Sequence, residues 1–136
     1  MVGKIPKGTV SAWKVLIVAD TESDTITDTL LDWGIAVIHC RSVREARQSL
    51  EKQQVAQVFC QAKLSDGTYR DIVGIAKSTQ PEPRVVVLIP KESPEHSFQE
   101  AIRAGAFDGI PSPVRRPEVQ WEVLQAMRAS LQEKVA

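Results

Sequence analysis

"RVVVLIP", Arg84 to Pro90, is the stretch on which the fold turns. Val85 to Ile89 are apolar without a break, and all but Leu88 are β-branched. A strand with one wet face alternates apolar and polar residues. An unbroken short run belongs to a strand covered on both faces, the condition of a parallel sheet sandwiched between helices. Shorter or more mixed versions of the same signal occur at "WKVLIV" (Trp13–Val18), "IAVIHC" (Ile35–Cys40), "VAQVFC" (Val55–Cys60) and "FDGI" (Phe107–Ile110).

The segments between these runs have helical spacing. After the first strand, Ile26, Leu30 and Trp33 fall at i, i+4 and i+7, and Gly34 supplies the stop. Ser42 with Glu45 three residues on predicts a capping box, and Val43, Ala46 and Leu50 form that helix's inner face. Ile72, Val73, Ile75 and Ala76 mark a third helix after Gly67. Ser93-Pro94 predicts a helix start, with Phe98 and Ile102 lining the helix and Gly105 ending it. Pro117 opens the last helix, whose inward residues are Val119, Val123, Leu124, Met127 and Leu131. Five strands alternating with five helices predict an α/β single-domain (βα)5 fold with right-handed crossovers. Residues 1–12 are expected to form a tail and 13–134 the domain.

Composition narrows the function. The chain has 136 residues, enough for one domain with a real core. Lys+Arg and Asp+Glu are equal at 17 each, so there is no electrostatic ground to expect nucleic acid or an anionic membrane as partner. No apolar run approaches the roughly 18 residues that a membrane span needs. "MVGKIPKGTVSA" has no apolar core of a secretory signal, so a cytoplasmic chain is expected. Cys40 and Cys60 stand at the ends of apolar runs, away from any metal-ligand spacing, as small buried hydrophobes do.

In a doubly wound sheet, ligands and chemistry sit beyond the carboxyl ends of the strands. Here those tips are Ala19-Asp20, Gln61, Ile89-Pro90 and Ser112-Pro113. The element order, with "VLIVAD", "KLSDG", "VVVLIP" and "AGAFDGIPSPV", resembles the CheY-like receiver domain of bacterial two-component response regulators, from about Trp13 to about Ala129. "RAGAFDGIPSP" is similar to that family's Gly-Ala-x-x-(aromatic)-(apolar)-x-Lys-Pro segment. The resemblance implies a flavodoxin-like five-stranded parallel sheet of order 2-1-3-4-5. It also implies a cis bond at Ser112-Pro113.

The family's phosphotransfer needs an acidic pair for magnesium, an acceptor aspartate, a Ser/Thr and a lysine. By resemblance, Ala19 stands where the first acid belongs and Asp20 matches the second. Gln61 stands at the acceptor aspartate, Ile89 at the hydroxyl and Ser112 at the lysine. Gly109 occupies the place of the switch aromatic. Only Asp20 survives, so a degenerate, non-enzymatic receiver without bound Mg2+ is expected. An amide is a poor nucleophile, but it can donate and accept hydrogen bonds in a closed pocket. Losing acids and lysine together also avoids leaving an unpaired buried charge.

Other readings remain open. Asp66, five residues past Gln61, could accept phosphate or simply bond its own loop. Asp20, Glu22 and Asp24 could bind a cation or only favour a helix dipole. His39 and His96 stand singly. Arg115-Arg116 is either a docking contact or a solvated pair. Asp66 or Asp20 would keep the chain phosphorylatable, whereas a pocket made apolar by Ala19 and Ile89 would bind a small ligand. The resemblance places the partner or homodimer surface on the fourth helix, fifth strand and fifth helix, with Phe98, Arg103, Trp121 and Arg128. Trp121 falls off the last helix's apolar stripe, unless the helical phase is different and it packs inward. A fused output domain beyond this chain would fit the same family.

Overall fold

The computed structural model describes residues 13–21, 23–91 and 97–135. Its main sheet contains β1 (Lys14–Val18), β2 (Ala36–Cys40), β3 (Gln57–Gln61), β4 (Arg84–Ile89) and β5 (Asp108–Pro111). The helices are α1 (Asp24–Asp32), α2 (Val43–Lys52), α3 (Tyr69–Lys77), α4 (Phe98–Ala104) and α5 (Arg116–Val135). Each neighbouring strand pair is parallel, in the order β2-β1-β3-β4-β5. The chain therefore forms the expected α/β, flavodoxin-like domain. An additional two-residue hairpin, Lys63–Leu64 against Gly67–Thr68, lies between β3 and α3.

The alternation of side chains along each strand builds two cores. Leu16, Val18, Val58, Cys60, Val85 and Val87 point to the layer of α2, α3 and α4. Val15, Ile17, Phe59, Val86 and Leu88 point to the layer of α1 and α5. Both faces of β1, β3 and β4 are thus covered, which is why their sequences show no polar alternation. β2 has only one strand neighbour, and its Ala36 and His39 are exposed.

Several strand starts shift from their expected positions. β1, β2 and β5 begin one residue later than expected, and β3 begins two residues later and ends at Gln61. Trp13 is buried, but its indole Nε1 donates to the Gln57 side chain instead of its backbone pairing in the sheet.

The helix caps refine the expected boundaries. Ser42 Oγ accepts the Glu45 N–H at 3.1 Å, while the Glu45 carboxylate takes the N–H of Arg41, one residue before the expected partner. Thr68 and Asp71 form a full capping box on α3. Ser93-Pro94 and His96 lie outside the described residues; the described helix α4 starts behind Ser97, whose Oγ accepts the Glu100 N–H. Gly34 (φ 72°) and Gly105 (φ 105°) terminate α1 and α4 in the left-handed region.

Two helical faces differ from expectation. Phe98 and Ile102 of α4 are exposed, and Ala101 is the residue buried against the sheet. On α5, Val119, Val123 and Met127 enter the core, but Leu131 is exposed. A helix of 20 residues is about 30 Å long, whereas a strand of five residues spans about 17 Å, so the last turns of α5 outrun the sheet. Trp121 is 55% exposed, in keeping with its place off the apolar stripe. No helix among the described residues is long and apolar enough to cross a membrane.

Candidate functional site at the strand tips

Gln61 is the last residue of β3 and is half-buried. Its Oε1 accepts the N–H of Asp20 at 3.1 Å, and its Nε2 donates to the carbonyl of Lys63 at 2.8 Å. One side chain therefore ties the loop after β1 to the hairpin after β3. The task needs an acceptor at one end and a donor at the other, as an amide supplies. A carboxylate at this position would direct a second acceptor at the Lys63 carbonyl.

Ala19, immediately after β1, is buried, whereas Asp20 is exposed. Arg41 Nη1 donates to the Asp20 carbonyl at 3.4 Å, leaving the Asp20 carboxylate outside that contact. Asp24 is an exposed residue of the first turn of α1. Glu22 lies outside the described residues. Among the described residues, no group of three or more His, Cys, Asp or Glu side chains is placed to hold a metal ion.

Asp66 has a definite structural task. Its Oδ1 accepts the Val43 N–H at 2.8 Å and its Oδ2 the Arg44 N–H at 3.1 Å. With Ser42 Oγ on Glu45 N–H, the first three amides of α2 are all satisfied. The Val43 bond, then the Arg44 bond, hold the Asp66 carboxyl below its ordinary pKa. The acceptor lies 22 to 23 residues downstream of the helix it caps, so no local motif announces it.

At the β4 and β5 tips, Ile89 lies over Gly109. A Cβ added to Gly109 would sit 3.2 Å from Ile89 Cγ1 and Cδ1, and 3.5 Å from Phe98 Cδ1. The half-buried Ser112 donates its N–H to the Ile89 carbonyl at 2.9 Å, and Ser112-Pro113 is cis, as the resemblance implied. Phe98 is half exposed beside this contact. Arg103 of α4 pairs with Glu100 at 3.0 Å, while Trp121 and Arg128 stand exposed on α5. Phe98 and Arg103 thus lie on α4, and Trp121 and Arg128 on α5.

The remaining candidates separate. Arg115 pairs with Glu118 at 3.3 Å and Arg116 with Asp32 at 2.7 Å, the latter joining α5 to α1. His39 is exposed on the edge strand β2. Burial pushes the Cys40 thiol up to about 11 and raises Cys60 further, so both thiols stay protonated and inert near neutral pH. A cavity of about 160 Å³, bordered by Val73, Arg84, Gly105 and Phe107, lies at the amino end of β4, away from Ala19 and Ile89.

Sequence reasoning missed a buried polar group at that opposite end of the sheet. Trp13 Nε1 donates to Gln57 Oε1 at 3.1 Å, and Gln57 Nε2 donates to the Glu122 carbonyl at 3.1 Å. Gln57 and Glu122 are both buried. The helical phase that placed Val119 and Val123 inward brackets Glu122, and that was the available signal.

No protein-family model and no curated protein matches the chain. Solved structures do match. The signal receiver domain of an HD domain-containing protein from Pseudomonas fluorescens Pf-5 superposes with a TM-score of 0.80 at 17% identity, over 98% of this chain and 96% of its own. The chemotaxis response regulator CheY4 of Vibrio cholerae gives 0.70 at 25% identity, over 85% and 98%. The beryllofluoride-activated NtrC4 receiver domain dimer gives 0.75 at 21%, over 85% and 97%. The chain has the receiver fold. Ala19, Asp20, Gln61, Ile89 and Ser112 lie at or just past the carboxyl ends of β1, β3, β4 and β5.

Proposed function

We propose that this chain is a receiver-type signalling module that acts through protein contacts without aspartyl phosphorylation. The observation that carries this reading is Gln61 at the tip of β3, with both ends of its amide committed to Asp20 and Lys63. Phosphoryl transfer needs a nucleophilic carboxylate, a divalent cation on oxygen ligands and fixed positive charge. Ala19 and Gln61 bring no carboxylate, Ile89 no hydroxyl and Ser112 no cation. Asp20 alone offers a single carboxylate. Asp66 is engaged by the amides of Val43 and Arg44, so using it as an acceptor would undo the start of α2.

The interaction surface in this reading is the α4–β5–α5 face, which would take a protein partner or a second copy. Phe98 is 50% exposed and Trp121 55%, and large aromatics of this kind anchor interfaces. One solved relative in fold is a receiver dimer. The balanced charge of the chain gives no support for nucleic-acid binding.

Incubation with acetyl phosphate and magnesium, followed by intact mass measurement, tests the first half: the mass is expected to stay unchanged. A phosphoryl adduct mapped to Asp66 or Asp20 would overturn it. Sedimentation across concentration tests the surface. Self-association that Phe98→Ala and Trp121→Ala abolish is expected for a homodimer, and a strict monomer would leave only the partner-protein form.

A further inference from the structure

The cavity at the amino end of β4 lies at the end of the sheet opposite Gln61. Its volume is about 160 Å³. A cavity of about 150 Å³ admits a benzene ring, so this one has room for a compact ring or branched chain. Val73 and Ala76 of α3, Val85 of β4 and Phe107 just before β5 give it apolar walls. These walls stand on α3, on β4 and on the turn that joins α4 to β5, so the regular elements of the fold set its shape.

Two cations stand at the walls. Arg84 lines the cavity, and its side chain is only 14% exposed. Its guanidinium is held twice: Nη2 pairs with Glu133 Oε1 at 2.6 Å, and the group stands 5.7 Å from the centroid of the Phe107 ring. Glu133 engages Nη2, whereas Nε is buried and has no hydrogen-bond partner. The guanidinium is thus fixed in place with donor capacity to spare, the preorganised arrangement that suits a carboxylate.

Lys77 is the second cation. Gly105, at φ 105°, borders the cavity, and a Cβ there would collide with the end of the Lys77 side chain. The glycine thereby lets the Lys77 ammonium lie against the cavity's edge. Lys77 is exposed and belongs to none of the ion pairs among the described residues. Glu82, exposed and likewise outside those pairs, borders the same cavity.

We propose that this cavity binds a small molecule in which one carboxylate is carried on a compact apolar body. The apolar part enters between Val73, Ala76, Val85 and Phe107, and the carboxylate accepts from Arg84 and Lys77. Glu82 opposes a second negative charge on the ligand and would pair with an ammonium. A plain monocarboxylic acid and an α-amino acid share the required chemistry, and Glu82 separates them. The bound molecule would touch both α3 and the turn that ends α4. The site does not depend on what the strand tips do.

The test is a titration of the full chain with phenylacetate, followed by amide chemical shifts. Saturable shifts at residues 73–77, 84–85 and 105–107 are expected, complete below about 10 mM. Phenylacetamide has the same shape without the charge and should bind about tenfold more weakly. Lys77 is exposed, so Lys77→Gln retains the fold, and it should weaken phenylacetate binding about threefold or more. L-phenylglycine differs from phenylacetate by its ammonium. Tighter binding that Glu82→Gln abolishes assigns the site to amino acids, and weaker binding assigns it to plain acids. The absence of saturable shifts at these residues would overturn the proposal. So would equal affinity for acid and amide, or a Lys77→Gln protein that binds phenylacetate as the wild type does.

Discussion

Gln57→Leu is expected to destabilise the protein by about 2–3 kcal/mol, although leucine fills nearly the same space. Gln57 is fully buried at the first position of β3. Its two bonds join the Trp13 indole to the carbonyl of Glu122 on α5. Leucine satisfies neither. The Glu122 carbonyl belongs to a helix, whereas the Trp13 indole N–H is left facing an apolar side chain, so most of the cost falls on Trp13. In a domain of this size that loss lowers Tm by roughly 10 °C. Denaturant midpoints and thermal melts measure it. A change below about 0.5 kcal/mol would mean that the indole finds water, and that Gln57 is not needed as a buried partner.

Gly109→Tyr is expected to cost about 2 kcal/mol, and the cost should depend on Ile89. The Cβ alone would meet Ile89 Cγ1 and Cδ1 at 3.2 Å, tighter than ordinary packing, with Phe98 at 3.5 Å. A full ring must displace the Ile89 side chain or leave the sheet surface. Shortening Ile89 to threonine removes the Cδ1 atom that blocks it. The four proteins of an Ile89→Thr and Gly109→Tyr cycle, measured by denaturant unfolding, should give a favourable coupling of about 1 kcal/mol or more. Additive effects would show that the two positions do not compete for one volume. If they do compete, glycine at 109 and isoleucine at 89 are matched to each other in packing.

The sheet was legible because its physics is local. Val85 to Ile89 carry no polar alternation, and the structure covers them on both sides. Gly34 and Gly105 mark helix ends by a backbone requirement that few other residues meet. Gln61 was legible as the residue at the end of a strand, and its amide is bonded at both ends. What stayed hidden was long-range pairing. Asp66 looked like a loop acid because the amides it caps lie 22 to 23 residues away. Glu122 drew no reading at all, because acids seldom enter cores, yet it is buried. Phe98, Ile102 and Leu131 were hydrophobic enough to suggest burial, but helix length and phase leave them at the surface.

Asp66 also has a mechanical consequence. By gripping the head of α2 from the turn after β3, it makes that turn and the helix a single lever. Any displacement of the turn therefore reaches the first residues of α2 through these two bonds.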